Sequence, residues 1–234
     1  MSAVRGETQF PLDLPATMTA GGWENSLAAI SSDGRRIVYR VGRGPQAELY
    51  LRSLDDITTT RIEGTQGAEN PFFASDGQWV GFFVNDESTN VRQLRKVNLL
   101  GGRWIKICDA PGPGPPFGAT WRDDTIVFSA DKGLVAVNVG SGTPRQLTTV
   151  PASVRGGGHR SPVLLPGGRA AVYTVAPAVN EQGSLEAVEL ESGKRMSSSR
   201  AFSPKPPAFN TFRAVIWSTS RMDSYPRLPS MFSH

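Results

Sequence analysis

The stretch Asn70-Pro71-Phe72-Phe73-Ala74-Ser75-Asp76-Gly77-Gln78-Trp79-Val80-Gly81-Phe82 decides the fold, because its pattern occurs four times. An apolar run meets an Asp-Gly turn, and a second apolar run follows. Upstream the same pattern reads Leu27-Ala28-Ala29-Ile30-Ser31-Ser32-Asp33-Gly34-Arg35-Arg36-Ile37-Val38-Tyr39. Downstream it reads Ala119-Thr120-Trp121-Arg122-Asp123-Asp124-Thr125-Ile126-Val127-Phe128, with a shorter turn. The fourth copy is Ser161-Pro162-Val163-Leu164-Leu165-Pro166-Gly167-Gly168-Arg169-Ala170-Ala171-Val172-Tyr173. The period is about 43–47 residues. A fixed period in this range marks stacked supersecondary units, and ~40–45 residues folded as four strands make one propeller blade.

Each unit supplies the remaining two strands. Leu49-Tyr50-Leu51-Arg52-Ser53-Leu54, Leu94 to Leu99, Leu134 to Val139 and Leu185 to Leu190 alternate apolar and polar residues. Period-two alternation places the apolar side chains on one face of a strand. Asp55-Asp56, Gly101-Gly102, Gly140-Ser141-Gly142 and Ser192-Gly193 then supply hairpin turns, where Gly and Asp tolerate positive φ. Short fourth strands follow, such as Thr60 to Ile62 and Trp104 to Ile107. No segment keeps a 3.6-residue period, so no helix is expected. The expected fold is all-β: a propeller of four-stranded antiparallel blades, with about four blades present as a partial or open ring.

Three regions follow from this reading: an N-terminal arm over 1–20 with one extra strand near Phe10 to Pro15, four repeats over 21–196, and a Ser/Pro/Arg-rich, disordered tail over 197–234. Four blades of this size form an arc more readily than a ring. An arc exposes apolar blade faces and strand edges that favour self-association. The expectation is a portion of a larger propeller, with the tail either out of frame or a divergent end.

The formal charge of +4 is misleading about partners. Residues 197–234 carry five basic side chains and one acid, and residues 1–196 carry twenty of each, so the repeats are neutral. Nucleic-acid binding requires a clustered basic face, which the repeats lack. The single Cys108 excludes an internal disulfide. No run approaches the ~20 apolar residues of a membrane helix, and the first ten residues have no signal-like core. As written, the chain is expected in the cytoplasm.

Several phrases together resemble a known family. They are Leu49-Tyr50-Leu51-Arg52-Ser53-Leu54-Asp55, Gly64 to Phe73, Asp76 to Phe83, Leu94 to Val97, Gly118 to Trp121, Gly142 to Thr148, and His159 to Pro162 with Leu164 to Gly168. The sequence resembles the WD40-like repeats of TolB-type propellers. More narrowly it is similar to the C-terminal sensor propellers of bacterial membrane-anchored serine/threonine protein kinases. The resemblance covers roughly residues 8–195. It implies a sensing or interaction module, attached elsewhere to a kinase domain and a membrane span and lying outside the cytoplasm. Ser32 and Ala74 depart from the family's Ser-Pro-Asp-Gly turn, and Gly167 stands where other units have Asp. A TolB-like envelope scaffold and the non-catalytic propeller of a prolyl-oligopeptidase-like peptidase are the alternatives. A further one is an incomplete translation product without a function of its own.

Motifs for catalysis are missing. No glycine-rich kinase loop with its lysine and catalytic Asp is found. Gly42-Arg43-Gly44-Pro45-Gln46-Ala47 imitates a dinucleotide fingerprint, but a strand follows where the pyrophosphate would need a helix N-terminus. No Gly-x-Ser-x-Gly elbow exists, and the histidines are His159 and His234 alone. The expectation is therefore no enzyme and no cofactor. Asp55-Asp56 and Asp123-Asp124 read as turn residues rather than cation ligands. Cys108 reads as a small buried residue. Trp23, Trp79, Trp104 and Trp121 read as filler between blades.

Binding residues on propellers concentrate in loops around the rim and channel. Aligning the units makes Asn70 equivalent to Ser161 and Glu69 to Arg160. Glu69, Asn70, His159 and Arg160 are the candidate contacts for a protein or peptide partner.

Overall fold

A computed structural model of the chain describes residues 27–55, 58–110, 117–150, 158–176 and 183–197. The arm over 1–20, Trp23, and the tail from 198 onward lie outside the described residues. Among the described residues, sixteen strands form four sheets, each a simple antiparallel meander. Blade 1 holds β1 (Ala28–Ile30), β2 (Arg36–Val41), β3 (Glu48–Ser53) and β4 (Thr59–Arg61). Blade 2 holds β5 (Ala68–Phe73), β6 (Trp79–Asp86), β7 (Val91–Asn98) and β8 (Ile105–Asp109). Blade 3 holds β9 (Ala119–Arg122), β10 (Thr125–Ala130), β11 (Gly133–Asn138) and β12 (Pro144–Gln146). Blade 4 holds β13 (Gly158–Leu164), β14 (Ala170–Ala176), β15 (Ser184–Glu189) and β16 (Arg195–Ser197), so it runs one residue past the expected boundary at Met196. One 3-10 turn, Gly44–Gln46, occupies the loop that imitates a dinucleotide fingerprint, and β3 follows it.

The Asp-Gly turns share one hydrogen-bond pattern. Ser31, Ala74 and Leu165 each accept from a glycine N–H three residues on, namely Gly34, Gly77 and Gly168. These glycines have φ of 71°, 66° and 68°, the left-handed region that an L side chain resists. Asp33 and Asp76 accept from the backbone N–H two residues on, at 3.0 and 2.8 Å. The hydroxyl of Ser31 beside Asp33 holds that carboxyl below its ordinary pKa. The shorter third turn places Asp123 itself at φ 50°. The turns are also stitched across blades: Ser32 Oγ donates to the Ser75 carbonyl, and Asp123 N–H donates to Ser75 Oγ.

Alternation puts both faces of a middle blade to use. Val38, Leu49 and Ile62 of blade 1 pack with Phe73, Val80, Phe82 and Val84 of blade 2. The opposite face of blade 2, with Phe72, Phe83, Leu94 and Ile107, packs with Trp121, Ile126 and Phe128 of blade 3. Val127, Leu134, Ala136 and Leu147 of blade 3 then meet Leu164, Ala171, Tyr173 and Val188 of blade 4. The core is thus three slabs between four sheets. Each slab buries several large side chains, each worth about 1.5–3 kcal/mol.

The inner strands touch in the order β1, β5, β9, β13, and no contact of similar extent joins β13 back to β1. The described blades form an open arc. Register makes Leu49, Leu94, Leu134 and Leu185 equivalent, each standing opposite the same position of the second strand (Arg40, Phe83, Ser129, Thr174). The first three are 0% exposed, whereas Leu185 is 45% exposed.

The tryptophans divide. Trp121 is buried between blades 2 and 3, and Trp79 packs against the same slab. Trp104 corrects the expectation of inter-blade filler: it is 39% exposed on the outer rim. Its ring covers the Arg95 guanidinium at 3.8 Å and lies close to Gly64. Cys108 is buried, and burial pushes its thiol up to about 12. Such a thiol is not a nucleophile at neutral pH. Among the described residues, no three His, Cys, Asp or Glu side chains are grouped to hold a metal, and no helix is long and apolar enough to cross a membrane.

Candidate interaction surface

Three inner strands bend at the same level. Asn70, Gly118 and Ser161 have φ of 48°, 101° and 49°. Left-handed backbone is costly for a serine and tolerable for an asparagine. Pro71 and Pro162 follow Asn70 and Ser161, and since a following proline ordinarily favours extended backbone, the left-handed φ is set by the packing of neighbouring strands. Pairing registers shift there, between Glu69 and Phe72 in β5 and between Arg160 and Val163 in β13. Such bulges re-aim the preceding side chain.

The strands also approach closely at this level. Ser161 N–H donates to the Phe117 carbonyl at 2.6 Å. A Cβ on Gly118 would lie 3.1 Å from Ser161 Cα, so glycine is the residue that permits this approach.

The side chains one position earlier form a layer across three neighbouring blades: Glu69, Phe117 and Arg160. The Arg160 guanidinium lies 3.9 Å over the Phe117 ring, a cation–π contact between blades 4 and 3. Burial lowers the Arg160 pKa from its ordinary value. Glu69 faces Arg92 with Oε2 and Nη2 3.5 Å apart. Acid, aromatic ring and base thus occupy equivalent positions at one end of three neighbouring inner strands.

Asn70 and His159 are placed differently. Asn70 is 2% exposed, and its backbone makes the bend. His159 is 3% exposed, between blades 3 and 4. Burial takes both side chains off the contact surface, which corrects their expected role as partner contacts. His159 Nδ1 lies 2.6 Å from Thr148 Oγ1. That oxygen also accepts from Leu134 N–H at 2.9 Å, and which of Thr148 and His159 donates in their shared contact follows the ring tautomer. The ring packs at a tilt of 55° against Tyr173, with centroids 4.9 Å apart. Tyr173 donates to Glu186 at 2.6 Å, and Glu186 is paired with Arg195. Desolvation, with Arg195 adding and Glu186 opposing, lowers the His159 pKa.

Beside the layer lies a cleft of about 880 Å³ between blades 1 and 2. Glu69, Arg92, Arg95 and Asp86 line it, with Gly67 on the blade 1 side and Ser88 at the tip of the β6–β7 hairpin. These strands have eight residues each, against six in β2 and β3, so the hairpin overhangs the cleft. Gln93 Oε1 accepts from Arg95 Nε and Nη2 at 3.0 and 2.8 Å, and Gln93 Nε2 donates to Asp86 at 2.9 Å. The Ser88 hydroxyl, followed by backbone N–H groups of the turn, holds the Asp86 carboxyl below its ordinary pKa. Charged groups fixed in this way on a rigid sheet suit recognition of a polar partner.

Phe117 and the cleft were not among the candidates read from the sequence. The cleft had a signal, since the stretch from Phe82 to Leu94 is much longer than the one from Phe128 to Leu134. Phe117 had little, because unit three lacks the proline that marks Asn70 and Ser161.

No protein-family model matches the chain, and no curated protein matches it in sequence. Its shape matches solved propellers. TolB from Acinetobacter baumannii aligns with a TM-score of 0.54 and 18% identity, over 75% of this chain and 44% of that one. A chain of a nidogen/laminin complex gives 0.55 and 14%, over 76% of this chain and 62% of that one. The propeller domain of the Trilobed protease from Pyrococcus furiosus, described as having an open velcro topology, gives 0.52 and 15%, over 75% and 57%. The chain has the propeller fold. It spans less than two thirds of each of these chains.

Proposed function

We propose that the chain is a non-catalytic propeller module that binds a protein or peptide, and that it is one portion of a longer propeller. The layer of Glu69, Phe117 and Arg160 beside the charged cleft carries this reading. It presents an acid and a base on backbone locked by bulges, with an aromatic face between their blades, and such groups on a rigid scaffold suit binding rather than turnover. The finer reading is the sensor part of a bacterial serine/threonine kinase. Support for it comes from the sequence phrases between Leu49 and Gly168 that resemble such sensors. Binding at the layer would then be passed to an attached kinase domain. A TolB-like scaffold is the second reading, favoured by the fold shared with TolB.

The test is capture of partners from bacterial envelope extract by the chain and by its Glu69→Arg and Arg160→Glu variants. A partner retained by the parent and lost by both variants, with melting temperatures unchanged, is the expected result. Equal retention by all three sinks the binding layer. Increased autophosphorylation of a kinase fused upstream, on addition of that partner, separates sensor from scaffold.

A further inference from the structure

The six exposed large apolar residues among the described residues fall in two groups. Leu100, Trp104 and Ile105 lie at the outer rim of blade 2. Val163, Leu185 and Met196 lie on blade 4, at 58%, 45% and 38% exposure. Register puts these three on one face: Val163 pairs with Val172, Val172 with Ala187, and Ala187 with Met196, while Leu185 is two residues from Ala187. Tyr173, Glu186 and Val188 belong to the opposite face, toward blade 3.

The repeats show what this face is for. In blade 3 the equivalent residues of β10 and β11 are Val127, Leu134 and Ala136, and all three are buried by blade 4. The covering blade always uses one pattern. Its second strand offers an apolar residue and, two positions on, an aromatic ring: Val80 and Phe82 in blade 2, Ile126 and Phe128 in blade 3, Ala171 and Tyr173 in blade 4. The rings are 0%, 1% and 1% exposed. Blade 1 carries the pattern too, as Ile37 and Tyr39, and both are already only 5% exposed. A second copy of the chain therefore has no free ring to offer.

We propose that the Val163–Val172–Leu185–Met196 face is the seat of a further four-stranded blade of this same repeat, whose second strand inserts an apolar-x-aromatic pair over Leu185 and Val172. This rests on the reading of the chain as a portion of a longer propeller, and is independent of any sensing role. A seated blade would continue the slab that each earlier blade forms with its predecessor.

Maleimide labelling of Leu185→Cys in the full chain tests it, since Cys108 is buried and its thiol is pushed up to about 12. A second form carries an added C-terminal unit copied from residues 66–110. A third carries that unit with its counterpart of Phe82 changed to Lys. Labelling should be fast and independent of concentration in the first form, slower by more than about tenfold in the second, and fast again in the third. Labelling that stays fast in the second form, with the added unit protease-sensitive, overturns the proposal. Labelling that is already slow in the first form, and slower at higher concentration, also overturns it and assigns the face to self-association. Neither result bears on partner capture at Glu69 and Arg160.

Discussion

Leu185 differs from Leu49, Leu94 and Leu134 in one respect, the lack of a described blade over it. That difference sets the cost of removing each side chain. Leu94→Ala or Leu134→Ala should lose about 2–5 kcal/mol in urea unfolding, through lost transfer energy and a cavity. Leu185→Ala should lose less than about 1 kcal/mol, because a half-exposed residue leaves no sealed void. His159 makes a second prediction at this scale. Its folded pKa lies below the ordinary value near 6.5, so the unfolded chain takes up the proton first as pH falls. Its contribution to stability is present above about pH 6.5 and is lost as pH falls toward the depressed folded value. His159→Asn, which keeps a polar partner for Thr148, should flatten the dependence of melting temperature on pH between about 5 and 7. An unchanged slope would show that His159 is not the group responsible. The burial of Cys108 and Trp121 was legible from their places in strands. The partner of His159 was not, because Thr148 reaches it across a blade boundary that local pattern does not record.

Within an element, volumes compensate across the first and second strands. The same cross-strand pair is Ala29 and Val38 in blade 1, Phe72 and Gly81 in blade 2, Thr120 and Val127 in blade 3, and Val163 and Val172 in blade 4. In blade 2 the bulk has moved to Phe72, and a Cβ on Gly81 would lie 2.3 Å from its ring. Gly81→Val should therefore destabilise by more than about 2 kcal/mol. Adding Phe72→Thr, the pairing that blade 3 uses, should recover part of that loss and give a coupling energy of about 1 kcal/mol or more in a double-mutant cycle. Additive losses would mean that the two side chains do not share one space. The strands themselves were legible in the alternation of Leu49 to Leu54 and its counterparts. The bulges at Asn70 and Ser161 were not: their left-handed φ and the close approach at Gly118 depend on the neighbouring strand, which local pattern does not record. Trp104 misled because an aromatic beside a strand is usually covered, whereas here β8 is an outer edge.

At the scale of the molecule, three slabs hold the four described sheets, and no described blade covers the outer apolar face of the last one. The period of the Asp-Gly turns made this architecture legible, since no other common fold repeats four strands at that spacing. The contact layer was less legible: Glu69 and Arg160 were found by aligning units, while Phe117 and the overhanging β6–β7 hairpin emerge only when blades are placed side by side. Leu185→Lys with Val163→Lys should leave the urea unfolding midpoint little changed, because no described blade covers either side chain, and a large drop would mean that the face is covered. The most direct single measurement is solvent paramagnetic relaxation of the methyl groups of Leu49, Leu94, Leu134 and Leu185 by NMR. Three protected leucines and a strongly relaxed Leu185 are expected of an arc with one open blade face. Four equally protected leucines would contradict it and mean that the chain closes on itself.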